Sequence, residues 1–367
     1  MKSKTISVVL LHLLFVIGTL SCTHKEIEWK GTIKEEDGVT VIKNSGKGLW
    51  GKEASEKITF KETLSLGNEE GDENYMFFGP IRLAVDDNLN IYVLDRKNYR
   101  LLKFDKDGNF IWKTGRQGQG PEEFQAPHDL ALNPAGEIVI LDSRSSIKFY
   151  GKNGSFLKLI KLNKTYWDLM YLPDGNLLLI TVIEDQLGVG ADYYSNELKF
   201  INEFPIEYRY GPKLPYLGGT SDRAISCFGD RVYHSLPDKY EIREYDLEGN
   251  MLRKVKRKIN LTPFKLHKEK GVLKSITMRD ISGPCFTYED QIFINSICCF
   301  EEGAGRVENL DFFDSKRKYL GSYELPKNVY LSVVDSEDNF YFIQRSPVPR
   351  VSRCMLEIKS GSDRRGD

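Results

Sequence analysis

Short apolar runs alternate with polar residues along the chain and break off at turn-forming clusters, and one such unit recurs. Gly79-Pro80-Ile81-Arg82-Leu83-Ala84-Val85-Asp86-Asp87-Asn88-Leu89-Asn90-Ile91-Tyr92-Val93-Leu94-Asp95 is echoed by Ala126-Pro127-His128-Asp129-Leu130-Ala131-Leu132-Asn133-Pro134-Ala135-Gly136-Glu137-Ile138-Val139-Ile140-Leu141-Asp142, at a constant offset of 47 residues. In each copy a strand meets a polar reversal (Asp86–Asn90, Asn133–Glu137) and then a second strand, which reads as a β-hairpin. Weaker copies follow at Asp168–Thr181, Ala224–Leu236, Pro284–Ser296 and Leu331–Gln344, making six. A second hairpin follows most of them: Leu101–Trp112 turns at Asp107-Gly108-Asn109, Ile147–Ile160 at Asn153-Gly154, Ile242–Val255 at Glu248-Gly249-Asn250, and Leu310–Tyr323 near Ser315-Lys316. The third copy has only a blurred counterpart around Leu198–Ile206.

Two hairpins per repeat make a four-stranded meander of ~40–50 residues, the size of a propeller blade. The pattern predicts an all-β fold, a six-bladed β-propeller over residues 58–360. The sixth repeat has its first hairpin and one strand near Cys354–Ile358 but lacks a fourth. Ile58–Gly67, ahead of the first blade, reads as a final strand without a blade of its own. Pairing it beside Met355 and Ile358 would close the ring and remove an aggregation-prone edge.

The connections argue against a sandwich of unrelated hairpins. Gly115-Arg116-Gln117-Gly118-Gln119-Gly120-Pro121-Glu122-Glu123-Phe124-Gln125-Ala126-Pro127 leads into the second blade, and Gly67 through Phe77, Phe78 and Gly79-Pro80 leads into the first with the same ending. Here the sequence resembles NHL-type propellers, whose blades are joined by a Gly-rich, Phe-then-Pro connection. From Glu28-Trp29-Lys30-Gly31 and Asp37-Gly38-Val39 through the first two blades it looks like the bacterial six-bladed β-propeller lipoproteins of unassigned activity. The resemblance is concentrated in residues 28–160. The Gly115–Gly120 segment is not a dinucleotide loop, because it runs through prolines into a strand and does not open a helix.

Ahead of the repeats, Lys2 and Lys4 precede the 15-residue stretch Ile6–Leu20, broken only by Ser7, His12 and Thr19, and small Ser21 stands before Cys22. This is the layout of a secretory signal, shorter than the roughly 18–20 apolar residues of a membrane-spanning helix. Thr19-Leu20-Ser21-Cys22 resembles a bacterial lipobox, which implies acylation at Cys22; Thr19 departs from the usual Leu. The expected organisation is a signal peptide over 1–21, a linker or extension over 22–57, the propeller, and a polar tail over 361–367. Cys227, Cys285, Cys298, Cys299 and Cys354 show no CxxC spacing; export would permit a disulfide, but Cys227 and Cys285 at matching places in neighbouring repeats favour buried free thiols.

Composition narrows the partners. Lys+Arg 52 against Asp+Glu 53 gives no global charge to recruit nucleic acid. Propeller ligands sit at the mouth of the central channel, near the starts of the innermost strands, and alignment places Arg82, His128, Asp129, Trp167, Asp168 and Arg223 there, with Pro284 and Tyr330 in the last two blades. Two arginines, two carboxylates, a histidine and an aromatic could hold a polar ligand, with Arg82→Ala weakening it while the fold stays intact; alternatively, Arg82–Asp129 and Asp168–Arg223 pair only to line a wet channel. Three histidines for zinc are not in place, and calcium would need about six oxygens where Asp129 and Asp168 supply few. The expectation is therefore an exported, monomeric propeller held by lipid to the cell envelope, at the outer membrane. It would act as a binding or scaffold module for a small polar ligand or an envelope protein, without a cofactor. The alternatives are a lactonase-like metal-assisted hydrolase or lyase, and a purely structural subunit of an envelope complex.

Overall fold

The computed structural model describes residues 27–51, 54–183, 188–209, 224–236, 239–259, 265–269, 272–280, 285–289, 291–301 and 305–359. The signal segment, Cys22, Arg223, Pro284 and the polar tail lie outside these residues. Six β-sheets follow one another as blades. Blade one is Pro80–Val85, Ile91–Asp95, Arg100–Phe104 and Phe110–Thr114. Blade two is Pro127–Leu132, Ile138–Asp142, Ser146–Tyr150 and Phe156–Lys161. Blade three is Tyr166–Tyr171, Leu177–Ile183, Gly188–Tyr194 and Phe200–Arg209. Blade four is Ile225–Phe228, Arg231–Ser235, Glu241–Tyr245 and Met251–Arg257. Blade five is Cys285–Tyr288, Ile292–Glu301, Gly305–Phe313 and Tyr319–Glu324. Blade six is Val329–Val334, Asn339–Gln344 and Arg350–Ile358, completed by Ile58–Leu66.

The polar reversals fix the strand register. Asp86 Oδ1 accepts from the amides of Asn88 and Asn90, and Asp105 and Asp335 repeat the arrangement in their own turns. These side chains substitute for ladder partners while the chain reverses.

Every core cluster lies between two neighbouring blades. Phe104 and Ile343 belong to the cluster joining blades one and six, Leu101 and Ile140 to the one joining one and two, and Leu141 and Leu179 to the one joining two and three. Val189 with Tyr245, Tyr233 with Phe313, and Phe312 with Phe342 mark the remaining three seams. Each sheet is therefore apolar on both faces, so its inner strands are continuous hydrophobic runs such as Ile91-Tyr92-Val93-Leu94, buried throughout. Closure follows the predicted pairing: Ile58 lies opposite Ile358 and Lys61 opposite Met355, antiparallel.

The segment expected as a linker or extension carries structure of its own. Lys30–Glu36 and Val39–Ser45 form a hairpin whose second strand runs parallel to Met251–Arg257, extending blade four. The Trp50 amide then donates to the Leu320 carbonyl of blade five at 2.8 Å. The chain thus straps blades four, five and six before entering the ring. Lys30–Glu36 is exposed along its whole length, so no apolar alternation announces it. Blade five carries a further unexpected hairpin, Lys265–Glu269 with Val272–Asp280. The blurred hairpin of blade three is Gly188–Tyr194 with Phe200–Arg209.

Cys227, Cys285 and Cys354 are free thiols. The expected match of Cys227 with Cys285 is two residues out. The hairpin registers put Cys285 opposite Asn295 where Ile225 lies opposite His234, which leaves Cys227 half-buried.

Candidate functional site

In an up-and-down meander the start of the first strand, the end of the second and the start of the third share one end of the blade. At that end blades one, two, three and six enclose a cavity of about 420 Å³. Arg82, Asp129 and Asp168 are register equivalents, lying opposite Leu94, Leu141 and Ile180 on their innermost strands. Just before each of them the register shifts by one residue, so Ile81, His128 and Trp167 are bulged out of the ladder. A bulge re-aims a side chain, and all three bulged residues line the cavity.

The floor is an ion triad. Arg82 Nε donates to Asp129 Oδ1 at 2.8 Å, and Nη2 donates to Asp168 Oδ1 at 2.9 Å. The second Asp129 oxygen accepts from the Leu169 amide at 2.8 Å. Arg82 is 7% exposed and Asp129 0%, so Asp129 lies beneath the mouth and does not face it. Arg82, His128, Trp167 and Asp168 do line the cavity. Arg82 thus bonds both carboxylates, and Arg223, the expected partner of Asp168, lies outside the described residues.

Above the floor the lining is cationic among the described residues. Arg96, Lys97, Arg144 and Arg345 come from the ends of second strands or the loops after them. The Arg144 guanidinium stacks 3.2 Å from the Trp167 ring centroid. Arg345 lies 4.7 Å from the Tyr330 ring and donates to its hydroxyl, which in turn donates to the Pro80 carbonyl. His128 is held down to about 4, first by burial and then by Arg96, Arg144 and Arg82, so it is neutral at pH 7. First-strand register does not reach these four cations, because they follow second strands. The signal was present: Asp95-Arg96-Lys97, Asp142-Ser143-Arg144 and Gln344-Arg345 each put a base just after a second strand.

The same connections hold the mouth in shape. Asp95 accepts from the amides of Phe78 and Gly79, and its equivalent Asp142 from those of Gln125 and Ala126. Arg100 pairs with Asp95 at 3.1 Å and Lys148 with Asp142 at 2.9 Å. The Phe-then-Pro ending is therefore pinned to the second strand of the blade it enters.

Among the described residues no three His, Cys, Asp or Glu side chains are grouped to hold a metal ion, and no helix is long and apolar enough to cross a membrane.

Residues 73–248 match the DUF5128 family, described as a 6-bladed beta-propeller. The chain is 26% identical to human (Homo sapiens) NHL repeat-containing protein 3 over 154 residues, 38% of this chain and 44% of that protein. With the Mus musculus protein of the same name the identity is 35% over 119 residues, 28% of this chain and 32% of that one. The chain thus spans less than half the length of the curated relatives it matches. Among solved structures, a presumed exported protein of Bacteroides fragilis NCTC 9343 superposes with a TM-score of 0.58 at 13% identity, covering 88% of this chain and 100% of that one. A duf4221 family member from Bacteroides vulgatus gives 0.56 at 10% identity, covering 83% and 100%. These two likenesses concern the fold.

Proposed function

Starting from a six-bladed, NHL-like β-propeller, we propose that this protein is a non-catalytic binding module that takes a small organic anion at the channel mouth. The observation that carries the reading is the charge of the lining. Among the described residues Arg82, Arg96, Lys97, Arg144 and Arg345 surround the cavity, against one lining carboxylate, Asp168, which is already bonded to Arg82. A ligand carboxylate or phosphate would accept charge-assisted hydrogen bonds from these side chains, in a cavity within the usual range for small ligands. Ile81, Phe78 and the Trp167 ring add apolar wall, which favours an organic anion over a bare inorganic one.

The signal-like start and the lipobox-like Thr19-Leu20-Ser21-Cys22 support export and a lipid anchor at Cys22, with the mature chain a monomer on the bacterial cell envelope, at the outer membrane. On this reading the binding module needs no cofactor. A metal-assisted hydrolase or lyase would need a cluster of ligating side chains, and none is grouped among the described residues.

Calorimetric titration of the mature protein with citrate, glucuronate and inorganic phosphate at low ionic strength tests the reading. Saturable binding of at least one organic anion is expected, weakened roughly 10–100-fold in Arg144→Ala and Arg345→Ala, as for loss of a charged hydrogen bond. Absence of saturable binding by all three, or unchanged affinity in both variants, would overturn it.

A further inference from the structure

Two seams of the ring are plugged by a phenylalanine from the connection between blades, and a third is not. Phe77, on the connection into blade one, is buried between blades six and one with its ring 6.1 Å from Phe104. Phe124, on the connection into blade two, is buried between blades one and two. Its ring lies 5.9 Å from Tyr150, and the Lys148 ammonium sits over its face at 5.5 Å. The registers make Tyr194 of blade three the equivalent of Phe104 and Tyr150, and Asp192 the equivalent of Lys148. Blade three is reached through Leu162-Asn163-Lys164-Thr165 alone, which is too short to fold back as the longer connections do and contains no aromatic residue.

Where the plug would lie there is a cavity of about 590 Å³, lined by Ile147, Leu162, Leu179, Leu198, Asp192 and Tyr194 among others. Ile147 is the equivalent of Leu101, which belongs to the same core cluster as Phe124. The apolar walls of a ring-binding slot are therefore kept while no phenylalanine from the connection fills it; the Tyr166 ring, on the first strand of blade three, is buried in the same cluster and reaches Asp192 and Tyr194 with its hydroxyl. The polar wall has changed sign, from the ammonium of Lys148 to the carboxylate of Asp192. Asp192 is 2% exposed and accepts from the Tyr166 hydroxyl at 2.5 Å and from Lys164 at 3.0 Å. Tyr166 and Tyr194 hydroxyls lie 3.0 Å apart. Burial and the Asp192 contact push the Tyr166 hydroxyl far up, so it remains a donor. The Lys164 side chain is 46% exposed, so a ligand donor can share or displace it.

We propose that this seam is a second ligand site, separate from the mouth, which takes a small molecule bearing a benzene-sized ring and a hydroxyl or ammonium group. The ring occupies the place held by Phe77 and Phe124 at the other two seams. Its donor meets Asp192, whose carboxylate repels an aromatic face and attracts a ring edge or a donor hydrogen.

Tyramine and 2-phenylethanol are the probes, titrated into the full mature protein and followed by NMR. Tyramine is expected to bind saturably, to be competed by 2-phenylethanol, and to give intermolecular NOEs from its ring protons to the methyls of Ile147, Leu179 and Leu198. Leu162→Phe, which supplies a phenyl from the connection itself, is expected to weaken tyramine at least about tenfold, 1.4 kcal/mol, while citrate binding at the mouth is unchanged. No saturable tyramine binding, or NOEs confined to other parts of the protein, overturns the proposal without reference to any variant. Tyramine affinity unchanged in a folded Leu162→Phe protein does so as well. Loss of citrate binding alone bears on the mouth and leaves this site standing.

Discussion

Arg82 Nε donates to Asp129 Oδ1 at 2.8 Å, tying the innermost strand of blade one to that of blade two, while the same guanidinium reaches Asp168 on blade three. One side chain therefore joins three blades at the channel. The triad acts on stability before it acts on any ligand.

Arg82→Ala is accordingly expected to destabilise the propeller by roughly 3–5 kcal/mol, because it removes the guanidinium bonded to the buried Asp129 carboxylate. This shifts the expectation from sequence, in which Arg82 served a ligand and its removal spared the fold. Denaturant unfolding checks it; an unchanged midpoint would show that the triad contributes nothing.

Acid stability carries the mark of two histidines, His234 buried and His128 half-buried at the mouth. His128 is held at about 4 and His234 at about 3, both mainly by burial, below their ordinary value of 6.5. Between those values the unfolded chain binds protons that the folded chain does not, so their contribution is complete above pH 6.5 and is lost as pH falls toward 4. Stability measured from pH 7 to 4 is expected to fall less steeply in His128→Gln than in the parent. Identical slopes would mean that His128 is not held neutral in the folded protein.

Closure by the N-terminal strand makes Leu66 a seam residue. It is 3% exposed in the cluster between blades six and one, although it precedes both in sequence. Leu66→Ala is expected to cost about 2–5 kcal/mol, the range for a buried leucine, and truncation of residues 58–66 to expose the edge of blade six and cause aggregation. A soluble truncated protein of parental stability would contradict the closure.

Export and anchoring rest on Cys22. Cys22→Ser is expected to release soluble protein or leave an unprocessed precursor, read by cell fractionation and mass spectrometry of the N-terminus. Unchanged processing and membrane attachment would show that the lipobox-like segment is not one.

Where side-chain periodicity and turn chemistry coincide, the fold was legible in the chain: the exact 47-residue echo of blades one and two, the Asp-led reversals, and an orphan strand matching an incomplete last blade. Legibility failed for strands whose partners are not apolar. Lys30–Glu36 is an exposed edge, and Gly188–Tyr194 opens with Gly-Val-Gly and carries a buried aspartate. At the mouth, first-strand register was enough to find Arg82, His128, Trp167 and Asp168. It could not tell that Asp129 lies beneath the surface, because the bulge at His128 decides which of two adjacent residues faces the cavity. The rim cations stayed hidden because three loops distant in sequence bring them to one place.

Anion recognition at the mouth is tested most directly at His128, whose titration is depressed by burial and by Arg96, Arg144 and Arg82 around it. The measurement is the pKa of His128, followed by NMR and assigned with His128→Gln, without citrate and at saturating citrate. A bound anion offsets the cations but not the burial, so the pKa is expected to rise from about 4 toward 6.5 without passing it. A pKa unmoved by citrate, or moved equally in Arg144→Ala and Arg345→Ala, would contradict the account.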